Sequence, residues 1–316
     1  MGSHVVELLL EQGYDVTCLV RDTHHLSWLQ GRNISVIRGD CTDADSLKAA
    51  ARGVSMVIHL AGLTKAKHAS EYYRVNYQGT RNVLTACAET SPGLRKFVFI
   101  SSLAAAGPSP DGRPLTESDE PRPVSDYGKS KLLAEQEALR YRDRFPVVIL
   151  RPSAVYGPRD RDMFELFRWA CRGVTLSMAG GERFINPCFV SDLARAVLKA
   201  ATTTTPSGSI YFIAESRTYS WTEFRQTLLA TGGVSAVDIK VPVAAAYGIG
   251  LISELVALFG SRAAVTSRQK IREAAQRSWL CSTAKAETEL GFSHAFSLKQ
   301  GLGITWQWYR QNHWLA

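Results

Sequence analysis

Short apolar runs alternate with longer stretches of helical periodicity through the first half of the chain. Strands are predicted over 15–20, 35–38, 55–60, 96–101 and 147–151, and helices over 43–52, 71–90 and 126–141. Runs that are nearly all apolar, such as Val54-Ser55-Met56-Val57-Ile58, suit strands covered on both faces. The alternation therefore predicts an α/β fold built on a doubly wound parallel sheet. Gly2-Ser3-His4 precedes an apolar run, Val5 to Leu10, that ends at Gly13 and reads as a helix capped by glycine. Beyond Arg151 the pattern loosens. A helix is expected over 163–172, and a short strand near Cys188 should run into a helix starting at the N-cap pair Ser191-Asp192. A strand over 209–214 returns to the main sheet, and from about Tyr219 onward the pattern is mostly helical. This divides the chain into a sheet domain over 1–170 and a smaller lobe over 171–316, with 187–214 returning to the sheet.

The stretch 241–260 carries one charge, Glu254, and is followed by Arg262, Arg268, Lys270 and Arg272. Pro242, Gly248, Gly250 and Glu254 interrupt it, which argues against a membrane span. A buried or lobe-lining helix is the plain reading. An interfacial membrane contact over 241–272, with the basic residues on headgroups, is the alternative. Of the 316 residues, 45% are hydrophobic and 21% charged, ordinary values for a globular protein. The six cysteines form no Cys-x-x-Cys pair, which suits a reduced, cytoplasmic protein without a bound metal. The opening residues lack the cationic start of a secretory signal. A net charge of +8 invites nucleic acid, yet the basic residues are dispersed, so an anionic small molecule is the better expectation.

Tyr127-Gly128-Lys129-Ser130-Lys131 opens a predicted helix, with Ser101-Ser102 ending the strand before it. Tyr127 and Lys131, four apart, share one helical face. An ammonium beside the phenol, together with a positive nicotinamide ring, would favour its ionised form and lower its pKa, preparing Tyr127 for acid/base work. Ser102 would hold the same substrate oxygen. The chain here resembles the extended short-chain dehydrogenase/reductase family, also called the NAD-dependent epimerase/dehydratase family. Matching segments run nearly end to end: Gly2-Ser3-His4, Gly39-Asp40-Cys41-Thr42-Asp43, His59-Leu60-Ala61-Gly62, Val75-Asn76-Tyr77-Gln78-Gly79-Thr80, Ser101-Ser102, Tyr127 to Lys131, Arg151-Pro152 through Val155-Tyr156-Gly157-Pro158, and Phe189-Val190-Ser191-Asp192. The resemblance implies a Rossmann-type fold with Ser102, Tyr127 and Lys131 catalytic. It implies Gly2 as the last glycine of a phosphate loop and Asp40 and Cys41 beside an adenine. Leu60, Ala61 and Gly62 would line ribose and pyrophosphate, and Lys131 would bond the nicotinamide ribose. Pro152 and Val155 would pass the nicotinamide, and Asn76 would support the site from its helix. The family habit is a homodimer through the helices 71–90 and 126–141.

Counted from Gly2, the place that carries an acid in NAD-preferring relatives falls on Val20, followed by Arg21. A guanidinium in place of an acid suits a 2′-phosphate, so NADP is favoured over NAD, with Asp22 the residue that could still reach a hydroxyl. Leu103-Ala104-Ala105-Ala106-Gly107 and Ala154 stand where relatives acting on nucleotide sugars carry a tyrosine and an asparagine. Losing both polar groups points to a more apolar secondary alcohol or ketone as substrate. The C-terminal part looks similar to the 3β-hydroxysteroid dehydrogenase-like branch. A nucleotide-sugar epimerase or dehydratase is the enzymatic alternative, and a degenerate, non-catalytic binding protein the other. The fold's first strand would lie in the middle of the sheet and has no counterpart before Gly2. Met1 is therefore expected to be a wrongly chosen start, with the natural protein beginning ~10 residues earlier, a buried strand being ~5–6 residues before its phosphate loop.

Overall fold

The computed structural model describes residues 1–21, 26–258 and 267–315. Asp22, Arg262 and the end of the 241–260 stretch, on which part of the sequence reading fell, lie outside the described residues. The main sheet has four parallel strands in the order β10-β5-β4-β3: Ser209–Ile213, Val147–Pro152, Lys96–Ile100 and Met56–His59. Every residue of β4 and β5 is buried. Their side chains divide by the two-residue period of a strand. Val98, Ile100, Val148 and Leu150 meet α8 (Val190–Thr202), α1 (Gly2–Glu11) and α12 (Ala284–Leu290) on one face. Phe97, Phe99, Val147 and Ile149 meet α2 (Ala44–Ala51), α4 (Gly79–Thr90) and α6 (Asp126–Leu139) on the other. Helices on both faces of a parallel sheet make this the doubly wound architecture the alternation predicts.

A separate parallel pair, β1 (Thr17–Val20) and β2 (Ser35–Arg38), sets Val20 opposite Arg38. Among the described residues, β1 and β3 each have a strand partner on one side only. Val5 and Leu9 anchor α1 in the core, and Glu7 grips Arg159 with both carboxylate oxygens at 2.9 and 3.0 Å.

Two expected elements differ. The helix over 71–90 is broken into α3 (Ala69–Tyr72), a π-helical turn (Tyr73–Gln78) and α4. The helix after β9 (Pro187–Phe189) starts at Val190 with Phe189 as its N-cap, not at Ser191-Asp192. The Asp192 carboxylate turns inward instead, accepting from the backbone N–H groups of Ala295 (2.9 Å) and Phe296 (3.3 Å) and pairing with Arg195.

The C-terminal part packs α9 (Trp221–Gly232) against α13 (Leu298–Gln311) through Phe224, Leu228, Leu302, Trp306 and Tyr309. It is not purely helical. β7 (Val174–Met178) pairs with β12 (Val237–Val241), and β8 (Phe184–Ile185) lies between β11 (Tyr219–Ser220) and β13 (Ser278–Trp279). The apolar stretch forms α10 (Val243–Leu258), followed by α11 (Arg268–Ala275). Of the plain reading, buried or lobe-lining, the buried form does not hold: Ile249, Ile252, Leu255 and Val256 are each at least half exposed. No helix among the described residues is long and apolar enough to cross a membrane.

Candidate active site

The site forms at the carboxyl ends of β3 and β4, where α6 begins. Ser102, just beyond β4, caps the short helix α5 (Leu103–Ala106), its Oγ accepting from Ala104 N at 3.1 Å. Ser125 caps α6 in the same way, accepting from Gly128 N at 3.0 Å. The two caps lie side by side because residue 128 has no side chain: a Cβ there would fall 2.3 Å from the Ala104 carbonyl oxygen. This contact brings Tyr127 beside Ser102, whose hydroxyl favours the ionised phenol.

Lys131, one turn further along α6, is 4% exposed. Its Nζ donates to Ile100 O at 2.8 Å and stands 4.9 Å over the Phe99 ring. Burial lowers its pKa to about 8, against the pull of Glu135 and Cys41. Burial also raises Tyr127 to about 12, with the Ser102 bond acting the other way. In the protein alone, burial sets the direction opposite to the one expected with Lys131 and the nicotinamide ring both beside the phenol. Desolvation of the phenolate sets this direction, so the phenol is a proton donor at neutral pH.

Asn76, fully buried in the π-helical turn, clasps the loop after β3. Its Oδ1 accepts from Leu63 N (2.7 Å), and its Nδ2 donates to Leu63 O (3.1 Å) and Ser130 Oγ (3.0 Å). The clasp sets Gly62 beside Lys131, with Leu60 half-buried against the core and Ala61 exposed. A Cβ on Gly62 would meet Asn76 Oδ1 at 3.1 Å and Lys131 Nζ at 3.2 Å, filling the space before them. Beneath the site Arg151 and Glu135 form a buried bidentate pair at 2.7 and 3.0 Å.

The remaining predicted residues are spread along the sheet. Gly2 opens α1, and a Cβ there would meet nothing within 4 Å. Arg21 is exposed just after β1. The Asp40 carboxylate accepts from Thr42 N and Oγ, both at 2.8 Å. Those bonds and the Arg21 charge take it below the usual carboxylate range despite partial burial. Cys41 packs its thiol toward α4, and burial raises it to about 11. Pro152 ends β5, buried, and Val155 lies half-buried in β6 (Ala154–Tyr156).

Sequence reasoning missed several groups that surround Tyr127. The Tyr72 ring meets it edge-on at 6.1 Å. From α11, Gln269 exchanges two 2.6 Å bonds with Asp126, and Glu273 accepts from Ser125 Oγ at 2.5 Å. No spacing signals these partners, which join segments more than 140 residues apart. Tyr72 also lines a cavity of about 200 Å³ whose walls mix apolar Leu251, Leu255 and Ala257 with charged Lys67, Glu254 and Arg268, and which none of the three predicted catalytic residues lines. A larger cleft of about 570 Å³, between 106–124 and 275–277, is lined by none of the three predicted catalytic residues.

Comparison with known proteins agrees with this geometry. Residues 1–214 match the profile of the NAD dependent epimerase/dehydratase family. The chain is 30% identical over 318 residues to a ceramide reductase of Caulobacter vibrioides, covering 100% of this chain and 93% of the relative. It is 31% identical to human 3 beta-hydroxysteroid dehydrogenase type 7, covering 76% and 72%. Among solved structures it is similar to MoeE5 with UDP-glucose and NAD (27% identity, TM-score 0.79, covering 99% and 96%). The fold is also that of UDP-glucose 4-epimerase from Thermotoga maritima (22%, TM-score 0.81, covering 99% and 96%). The chain belongs to the NAD-dependent epimerase/dehydratase family and is an oxidoreductase of the extended short-chain dehydrogenase/reductase type.

Proposed function

We propose that the protein interconverts a ketone and a secondary alcohol on a fairly apolar small molecule, with NADP preferred to NAD. The cavity beside Tyr72 supports the substrate reading through the apolar Ala66, Ala69, Leu251, Leu255 and Ala257, which share its lining with Lys67, Glu254, Ser267, Arg268 and Gln269. Ala104 and Ala154 add no hydrogen-bonding side chain for a sugar. The named activities of two relatives, a ceramide reductase and a 3 beta-hydroxysteroid dehydrogenase, lie in the same direction.

The residues present fit a dinucleotide. Gly62 leaves open the space before Lys131 and Asn76, and the buried Lys131 ammonium gives one of its three donors to Ile100 among the described residues. Ala61, Gly62 and Lys131 would hold the nicotinamide end. The bound cofactor supplies or accepts hydride at the carbinol carbon. Tyr127 gives its phenolic proton to the carbonyl oxygen in reduction and takes it back in oxidation, while Ser102 holds that oxygen by hydrogen bond. Reduction starts from the protonated phenol, the form that a pKa of about 12 maintains.

For the cofactor's other end, Arg21 follows Val20, and Arg38 stands beside Val20 across the β1–β2 pair. Two guanidinium groups suit a 2′-phosphate. Fluorescence titration is expected to give tighter binding of NADPH than of NADH, and Arg21→Glu to reverse the order. Equal or tighter NADH binding by the unaltered protein would overturn the preference. Oxidation of a 3β-hydroxysteroid or a long-chain secondary alcohol, followed by NADPH absorbance, tests the substrate class. Turnover of UDP-glucose alone would place the chain with the sugar-nucleotide enzymes.

A further inference from the structure

Helix α10 is turned inside out. At about 100° per residue, Ala245, Ile249, Leu251, Ile252, Leu255 and Val256 fall on one side, and all are exposed, Ile252 at 63% and Val256 at 67%. The helix's one charged residue, Glu254, points the other way and accepts from Arg268 N (2.8 Å) and Nε (2.7 Å) at the start of α11. A surface helix normally turns its apolar side to the core and its charges to water. A continuous exposed apolar stripe marks a surface that something covers.

Three observations say what covers it. The following helix, α11, supplies Arg268, Lys270 and Arg272, with Arg268 and Arg272 exposed, in a chain of net charge +8. At 16 residues α10 is ~24 Å long, too short to cross a hydrocarbon core of ~30 Å but suited to lie along its surface. Leu251 and Leu255 belong both to the stripe and to the cavity that reaches Tyr72 beside Tyr127. A second copy of the chain seated there would shut the cavity, whereas a bilayer would open it to apolar solutes.

We propose that α10 docks in the headgroup–acyl boundary of an anionic bilayer, with Lys270 and Arg272 of α11 on lipid phosphates while Arg268 stays with Glu254. This goes beyond the reading of the substrate and does not depend on it. The test is flotation with phosphatidylcholine vesicles, with and without phosphatidylglycerol. The protein is expected to float with the anionic vesicles, and its partitioning to fall at least tenfold in Ile252→Glu/Val256→Glu. Lys270→Gln/Arg272→Gln should lower it by about tenfold, as should raised salt or removal of phosphatidylglycerol. These side chains lie outside the catalytic group, so NADPH binding and thermal unfolding serve as folding controls. Absence of flotation with anionic vesicles, or flotation of both double variants equal to that of the unaltered chain, overturns the proposal. So does an oligomer in solution that Ile252→Glu/Val256→Glu dissociates without any vesicle binding by the unaltered chain, which would assign the stripe to a second copy.

Discussion

Tyr127 and Lys131 share a helical face, yet burial drives them in opposite directions: the phenol up to about 12, the ammonium down to about 8. Tyr127→Phe removes the proton donor while keeping the ring against Tyr72. It is expected to lower turnover by about 10²–10⁴-fold with NADPH affinity unchanged, as read by steady-state rates and fluorescence titration. Lys131 has a second consequence. An unfolded lysine titrates near 10.5, so below pH 8 both states carry the charge and the folded state bears the whole desolvation cost. Between pH 8 and 10.5 the folded protein has released a proton that the unfolded chain still binds, and stability rises with pH across that window. Lys131→Met is therefore expected to stabilise the cofactor-free protein at neutral pH by up to about 3 kcal/mol, the gain fading above pH 8 and vanishing near 10.5. Thermal unfolding at several pH values reads this directly. An unchanged or lower Tm at pH 7 would show that the bond to Ile100 O outweighs the burial cost.

At the scale of elements, the site depends on the π-helical turn Tyr73–Gln78, which rotates Asn76 into the loop after β3. Asn76→Leu orphans the Leu63 N–H and carbonyl and is expected to cost about 1–3 kcal/mol for each group left without a partner. It should also weaken NADPH binding, because Ala61 and Gly62 lose their support. Denaturant unfolding and cofactor titration check both. The turn itself was invisible in the sequence: it shifts the apolar period of 71–90 by about one residue, too little to stand out in so short a helix. Tyr127, Lys131 and Ser102 were legible because four-residue spacing and a strand end fix their neighbours locally. Tyr72, Gln269 and Glu273 were not, because their contacts join distant segments through side chains with no periodic signature. Asp192 misled for a related reason. An acid in the first turn of a helix reads as a cap until the amides of Ala295 and Phe296 claim it.

Across the whole molecule, burial and pairing are uneven in a way the strand pattern alone did not reveal. The apolar runs announced β4 and β5 equally with β1 and β3. Only β4 and β5, however, have parallel partners on both sides and every residue buried. β1 and β3 each present one edge without a strand partner among the described residues, and their side chains are mostly half-exposed. An amide in a doubly flanked, fully buried strand exchanges only on near-global opening, whereas an edge amide exchanges through local fluctuations. Hydrogen exchange followed by mass spectrometry is thus expected to be slowest over Lys96–Ile100 and Val147–Pro152. It should be faster over Thr17–Val20 and Met56–His59, although all four strands are of similar apolar character. NADPH should slow exchange over Met56–His59 and the loop that follows it, since Ala61, Gly62 and Lys131 would then be held together. Uniform protection of the four strands would mean that their stability does not follow this pairing. Protection by NADPH confined to the smaller lobe would mean that the cofactor does not rest on the Gly62–Lys131 cradle.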